Sequence, residues 1–444
     1  VTHERQADET SRNSADVMPE KQPGRTKVSR REVLKMAGVG GLGLLVGSVG
    51  VGEVLTRTGM LSSKTASVVT PRQADQHIPF YGDYQAGIVT PSQNFVCFAA
   101  FDVTSAKLSD IAEMFRAWTE AAAAMTEGQL IGTVNDKTTM PPSDTGEAAG
   151  LTPSKLTITF GVGPSMFDQR FGLAAKRPAA LADLPRFAGE NLRPEWCGGD
   201  IGVQVCADDM QVAFHAVRNL ARIARGTAVL RWTQEGFQRT SAASSTAGDT
   251  PRNLLGFKDG TGNPDVNDNK LMNDVVWAQA ADGAGWMNNG SYMVVRRIRM
   301  RIEIWDRTKL GEQENTFGRY RENGAPIGAK NEFDTLKLEE KDASGAFVIP
   351  ANSHVRLAHG DGSMKILRRS YSYSSGLDSK TGQLDAGLLF IAYQRDPRSQ
   401  FVPMQQRLAK ADALNEYISH LGSALFACFP GVKRGGFIGE QLFS

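Results

Sequence analysis

Two hydrophobic periods alternate along the first half of the chain. Asn94 to Phe101 is short, apolar and aromatic, the composition of a buried strand. Leu108 to Met125 repeats at helical spacing, with Leu108, Ile111, Met114, Phe115 and Trp118 on one side. Leu156 to Gly163 alternates with period two, and Ile201 to Cys206 follows as a third strand. Met210 to Arg225 returns to the helical period, and Val229 to Phe237 alternates again. The order β-α-β-β-α-β is that of a split βαβ unit, an antiparallel sheet with helices on one face. The second half repeats the theme more loosely. Ser291 to Met300 reads as a strong strand and Arg301 to Leu310 turns toward a helix. Val348 to Pro350 ends a strand, and Leu388 to Tyr393 is a short apolar strand. Phe401 to Ala427 has a helical pattern that ends near Pro430 and Gly431. The expected fold class is α+β, with two ferredoxin-like domains over residues 77–240 and 241–444 and a pocket between them.

Composition narrows the function. The 444 residues carry 50 basic and 48 acidic side chains, a net charge of +2, which excludes the concentrated basic face of a nucleic-acid binder. At 41% hydrophobic residues a substantial core can be buried. The four cysteines (Cys97, Cys197, Cys206 and Cys428) show no zinc-type spacing; Cys197 and Cys206 are either bridged or free buried thiols. Residues 1–28 are polar, and Met18 offers an alternative start. Arg30 and Arg31 then precede a Gly/Val/Leu-rich run from Met36 to about Leu55, before a linker at 57–76. Residues 1–56 are therefore expected to be a polar tail and a twin-arginine export signal, or alternatively an uncleaved anchor. That route exports proteins already folded around a cofactor, so the expected location is extracellular or at the cell envelope.

The chemistry concentrates in three segments. Gly256-Phe257-Lys258-Asp259-Gly260-Thr261-Gly262-Asn263-Pro264 places one carboxylate between glycines in a stretch that cannot continue a helix or central strand. Asn352 to His359 carries two of the six histidines, and Leu367 to Tyr373 contains the pair Arg368 and Arg369. His3 falls in the tail, His77 at the domain start, and His215 and His420 within expected helices. One acid, one imidazole able to bind a metal and one arginine pair form a peroxidase-like set.

These segments, GFKDGTGNP, NSHVRLAH and LRRSYSY, resemble in order the motifs of the dye-decolourising peroxidases, in their exported subgroup. The likeness runs from about His77 to Phe443 and extends to HIPFYGDYQAGIVTPSQ, GLLFIAYQRDPRSQFVP and GSALFACFPG. It implies one haem b per chain, His354 as the iron ligand, and Asp259 and Arg368 as the distal catalytic pair. It places Gly256, Phe257, Lys258, Gly260, Thr261, Arg369, Leu388 and Phe390 around the cofactor, with Arg369 serving structure or propionate charge. Asp385 is the candidate partner for the second nitrogen of His354, and His359 the weaker ligand candidate. Gly360 stands where many relatives have proline. The implied activity is reduction of hydrogen peroxide through a ferryl state, at the expense of bulky phenolic or dye-like aromatic donors. Tyr371, Tyr373, Tyr393, Trp232 and Trp305 are candidate electron relays, each of which equally suits a core position. Two rival expectations remain: a haem-handling protein for iron acquisition, and a redox partner in maturation of an extracellular metalloenzyme. The implied partners are peroxide, an aromatic reductant, the export machinery and an extracellular protein.

Overall fold

The computed structural model describes residues 77–132, 138–240, 243 and 249–443. The twin-arginine segment and the linker lie outside the described residues. In the first half β1 (Phe95–Val103), α1 (Leu108–Thr126), β2 (Thr157–Val162), β3 (Ile201–Ala207), α2 (Met210–Ile223) and β4 (Ala228–Phe237) follow the expected order. α1 buries Ile111, Met114, Phe115, Trp118 and Met125, one stripe at i, i+3 and i+4 spacing. α2 starts where the Asp209 side chain accepts from the Gln211 and Val212 amides, satisfying two otherwise orphaned donors.

The second half holds α3 (Asn269–Val275), β5 (Ser291–Met300), α4 (Ile302–Trp305), α5 (Leu310–Phe317), α6 (His354–His359), β6 (Leu367–Arg368) and β7 (Tyr371–Leu377). β8 (Leu384–Gln394), α7 (Phe401–Ala411), β9 (Ile418–Cys428) and α8 (Glu440–Phe443) complete it. Leaving aside the two-residue β6, the strands again run β-α-β-β-α-β, so the fold is α+β with two ferredoxin-like halves.

Those halves share one sheet. Its order is β5-β9-β2-β3-β1-β4-β7-β8-β6, and β5 also pairs with β8, so eight strands close on themselves. Within each half the ladders are long, as in Val96↔Cys206 and Val96↔Gly236 around β1. The seams between halves are thin: β2 meets β9 only at Gly161↔Cys428 and Val162↔Ala427, and β4 meets β7 only at Phe237↔Ser372. Period-two alternation puts Val96, Phe98, Trp232, Met293, Tyr371, Ile391, Tyr393 and Phe426 together as one interior core. The opposite faces pack on α1 and α2 in a second core that includes Phe101, Phe115, Trp118 and Phe160. A third, smaller core joins Phe257, Trp305, Phe317 and Tyr417.

Two expected elements are corrected. The helical run over Phe401 to Ala427 breaks at Asp412, which turns extended (φ −69°, ψ 123°) and starts a 3-10 turn by accepting from the Leu414 amide. The remainder is strand β9, apolar and largely buried because it lies between β5 and β2; hydrophobic content without a clear period does not distinguish such a strand from a buried helix. His420 consequently sits on a strand, not a helix. Val348 to Pro350 forms no strand. Among the described residues all four cysteines are free thiols, and no helix is long and apolar enough to cross a membrane.

Candidate functional site

The loop carrying Asp259 is held from both flanks. Asn253 ties its start, with Oδ1 accepting from the Leu255 and Phe257 amides. Gly256 adopts φ +84°, and a Cβ there would meet the Arg321 guanidinium at 2.6 Å. Phe257 is buried and stacked on Phe317, with ring centroids 4.0 Å apart. Lys258 Nζ donates to Asp249 Oδ1 and Glu332 Oε2, each at 2.6 Å, and Thr261 Oγ1 donates to Glu332 Oε1 at 2.9 Å. Burial works to raise the Glu332 pKa, yet the hydrogen bonds from Lys258, Thr250 and Thr261 outweigh it and hold the carboxyl below its ordinary range. Gly256, Phe257, Lys258 and Thr261 thus build the loop. Asp259, between them, turns its side chain to Arg368, whose guanidinium donates to Oδ1 at 2.8 Å.

Arg368 comes from β6, paired to β8 through Leu367↔Tyr393 and Arg368↔Ala392. Both members of the ion pair stay partly open, the acid at 18% and the arginine at 26% side-chain exposure. They border a cavity of about 550 Å³ whose wall also includes Asn94, Phe237, Gly260 and Leu388. Clefts of about 300–1,000 Å³ are usual for cofactors and small ligands.

His354 opens α6 and is fixed from a distance in sequence. Its Nδ1 donates to Asp412 Oδ2 at 2.6 Å, while Asp412 Oδ1 accepts from the Leu414 amide at 2.9 Å. A carboxylate can only accept, so Nδ1 carries the proton, and in the neutral ring Nε2 then keeps its lone pair. Burial is the largest influence on the imidazole and lowers its pKa. The charge and hydrogen bond of Asp412 overcome it and raise the pKa, and the charges of Arg368 and Asp259 also bear on the ring. The ring is 34% exposed and its centroid lies 6.1 Å from that of Phe317.

The candidate partner Asp385 is a correction. Its Oδ2 accepts from Arg297 NH2 at 2.8 Å, and Tyr373 Oη lies 3.5 Å from Oδ1, so it neutralises a buried arginine instead of touching His354. Asp412 takes that place. It follows directly on α7, where a single aspartate before Ala-Leu reads only as a cap. Arg369 directs its guanidinium to the Thr90 and Pro91 carbonyls and to Gln93, a structural tie between the halves. Leu388 lines the cavity; Phe390 packs on Phe401 with ring centroids 6.1 Å apart. His359 is exposed, its Nδ1 donating to the Gly360 carbonyl. The five candidate relays all have packed positions: Trp305 donates to the Leu255 carbonyl, Trp232 to the Gly198 carbonyl, Tyr371 to Cys206 Sγ and Tyr393 to Met293 Sδ, while Tyr373 lies against Arg297.

Among the described residues no cluster of three or more histidine, cysteine, aspartate or glutamate side chains could hold a bare metal ion. A metal bound at His354 needs a macrocycle to complete its coordination, and one free imidazole nitrogen oriented by a carboxylate is the donor that haem iron requires. The residues fit the group.

Comparison with known proteins agrees. Residues 85–238 match the family model described as Dyp-type peroxidase, N-terminal, and residues 250–433 the model described as Dyp-type peroxidase, C-terminal. The deferrochelatase of Escherichia coli K12 is 40% identical over 417 residues, covering 92% of this chain and 95% of that protein. The Shigella flexneri deferrochelatase is 40% identical over 427 residues, covering 94% and 98%. Ferric DtpA from Streptomyces lividans superimposes with a TM-score of 0.77 at 38% identity, over 84% of this chain and 99% of that one. A DyP-type peroxidase from Cellulomonas bogoriensis gives 0.76 at 38%, over 83% and 98%.

Proposed function

The chain belongs to the Dyp-type peroxidase family and is a haem-dependent peroxidase, and we propose that it is an exported enzyme that reduces hydrogen peroxide and oxidises bulky phenolic or dye-like donors. In this reading His354 would hold the haem iron through Nε2, Asp412 sets its tautomer, and Asp259 and Arg368 act on peroxide. The observation that carries it is the Asp259–Arg368 pair, joined at 2.8 Å and open to the cavity.

When bound, haem supplies the iron that takes up peroxide and the oxidising equivalents that the donor later quenches. The protein moves the proton and compensates the charge. Asp259 keeps one oxygen on Arg368, so its other oxygen accepts the proton of the attacking peroxide and returns it to the departing oxygen. A positioned acid–base group of this kind contributes about two to four powers of ten in rate. Arg368 donates to the oxygen that becomes negative; its charge is permanent, since guanidinium does not lose its proton in proteins. Asp412, holding the Nδ1 proton, increases electron donation from Nε2.

His354→Ala is expected to abolish stable haem binding, while His359→Ala leaves it intact. Absorption spectra of the purified variants decide: a full Soret band with wild-type spin state in His354→Ala overturns the ligand assignment. Export rests on Arg30 and Arg31, and their replacement by lysine should retain folded, haem-loaded protein inside the cell.

The deferrochelatase name of the 40%-identical relatives favours a second reading, haem handling for iron acquisition. Iron released from added haem, with the porphyrin left intact, would support it over donor oxidation.

A further inference from the structure

β6 is two residues long and lies at the end of the strand order, with β8 on one side only. The Arg369 amide reaches back to the Ile391 carbonyl. The amide and carbonyl of Arg368 itself point the other way, to a single side chain. Asn263 Oδ1 accepts from the Arg368 N–H at 3.1 Å, and Asn263 Nδ2 donates to the Arg368 carbonyl at 2.7 Å. The carboxamide therefore stands in for a strand neighbour, closing both backbone groups of one residue.

Asn263 belongs to the same loop as Asp259. Its amide donates to the Gly260 carbonyl at 3.0 Å, a turn that brings the two side chains to one side. Lys258 and Thr261, flanking Asp259, are anchored on the buried Glu332 at 2.6 Å and 2.9 Å. One rigid loop thus grips Arg368 twice: Asp259 holds the guanidinium and Asn263 holds the backbone from which it extends. Without the second grip the guanidinium would swing on an edge strand fixed from one side.

We infer that Asn263 is a positioning residue that sets where the Arg368 guanidinium sits in the cavity, acting through the Arg368 backbone. The inference rests on the assignment of Asp259 and Arg368 as the pair that acts on peroxide.

The test compares haem-loaded wild type, Asn263→Ala, Arg368→Leu and the double variant, by stopped-flow reaction with peroxide and by cyanide affinity, since a bound anion reports the fixed positive charge beside it. Misplacement of a positioned group by about 1 Å costs up to about a hundredfold, so Asn263→Ala should slow the peroxide reaction roughly tenfold or more. Cyanide affinity should fall with it, while the haem content stays that of wild type. Exchange of the Arg368 amide proton should accelerate. In the Arg368→Leu background the same substitution should change neither rate nor affinity. Asn263→Ser, which keeps one hydrogen bond and serves if the alanine variant does not fold, should fall between. Equal losses in both backgrounds mean that Asn263 is merely structural and overturn the inference. So does a wild-type rate in Asn263→Ala. A wild-type rate in Arg368→Leu instead sinks the distal assignment, and the positioning role with it.

Discussion

At the residue scale the two distal groups differ in what can replace them. Water can carry a proton where a carboxylate is missing, but it cannot supply a fixed positive charge in a cavity of low dielectric. Asp259→Ala and Arg368→Leu should both load haem normally, since neither coordinates iron in the proposed site. Both should slow the reaction with peroxide, Arg368→Leu the more. Stopped-flow mixing with peroxide compares the two variants, and wild-type rates in both would disprove the assignment. His354, Asp259 and Arg368 stand out as candidates in the sequence because each sits inside a short segment that resembles a family motif. Their supports do not. Asp412 is 58 residues from His354, Glu332 is 74 from Lys258 and Asn263 is 105 from Arg368. Nothing in a linear pattern states which of 48 acidic residues folds back onto a given histidine. Asp385 was the wrong choice for that reason, since its strand position could not reveal that Arg297 already claimed it.

At the element scale the first half read correctly because its strands and helices differ in period, α1 and α2 showing a single apolar stripe. In the second half β9 misled because both its faces are covered. The interior face of the sheet has no room to spare. Gly202 on β3 and Gly236 on β4 let the Phe426 and Tyr371 side chains approach their backbones; a Cβ at either position would lie 2.8 Å from the ring or Cβ opposite. Gly202→Val should therefore overpack the interior and cost about 1–3 kcal/mol. Urea unfolding of the haem-free protein checks this, and an unchanged midpoint would show that Phe426 can yield. The same crowding explains why Gly161 on β2 pairs with Gly202 on β3, both against Phe426, a feature that periodicity alone presents only as weak strand propensity.

For the whole molecule, closing eight strands on themselves buries charge along the long β5–β9 ladder. Arg296 is 1% exposed, paired with Glu190 and bonded to Ser423 Oγ at 2.8 Å, and the His420 ring lies in the same region. Burial, assisted by the Arg296 charge, pushes His420 down from 6.5 to about 3, so it is neutral in the fold. The sign of the consequence follows. Below pH 6.5 the unfolded chain takes up a proton at this site that the folded chain refuses until about pH 3. Stability should therefore fall as pH falls through that window, with this one group contributing up to about 1.4 kcal/mol per pH unit. His420→Gln removes the titration while keeping a polar side chain. Its unfolding free energy, measured in urea between pH 6.5 and 4.5, should decline less steeply than that of wild type. Carboxylates and other groups common to both proteins cancel in the difference. Parallel slopes would mean that His420 is protonated within the fold, and that the β5–β9 ladder tolerates a second positive charge beside Arg296.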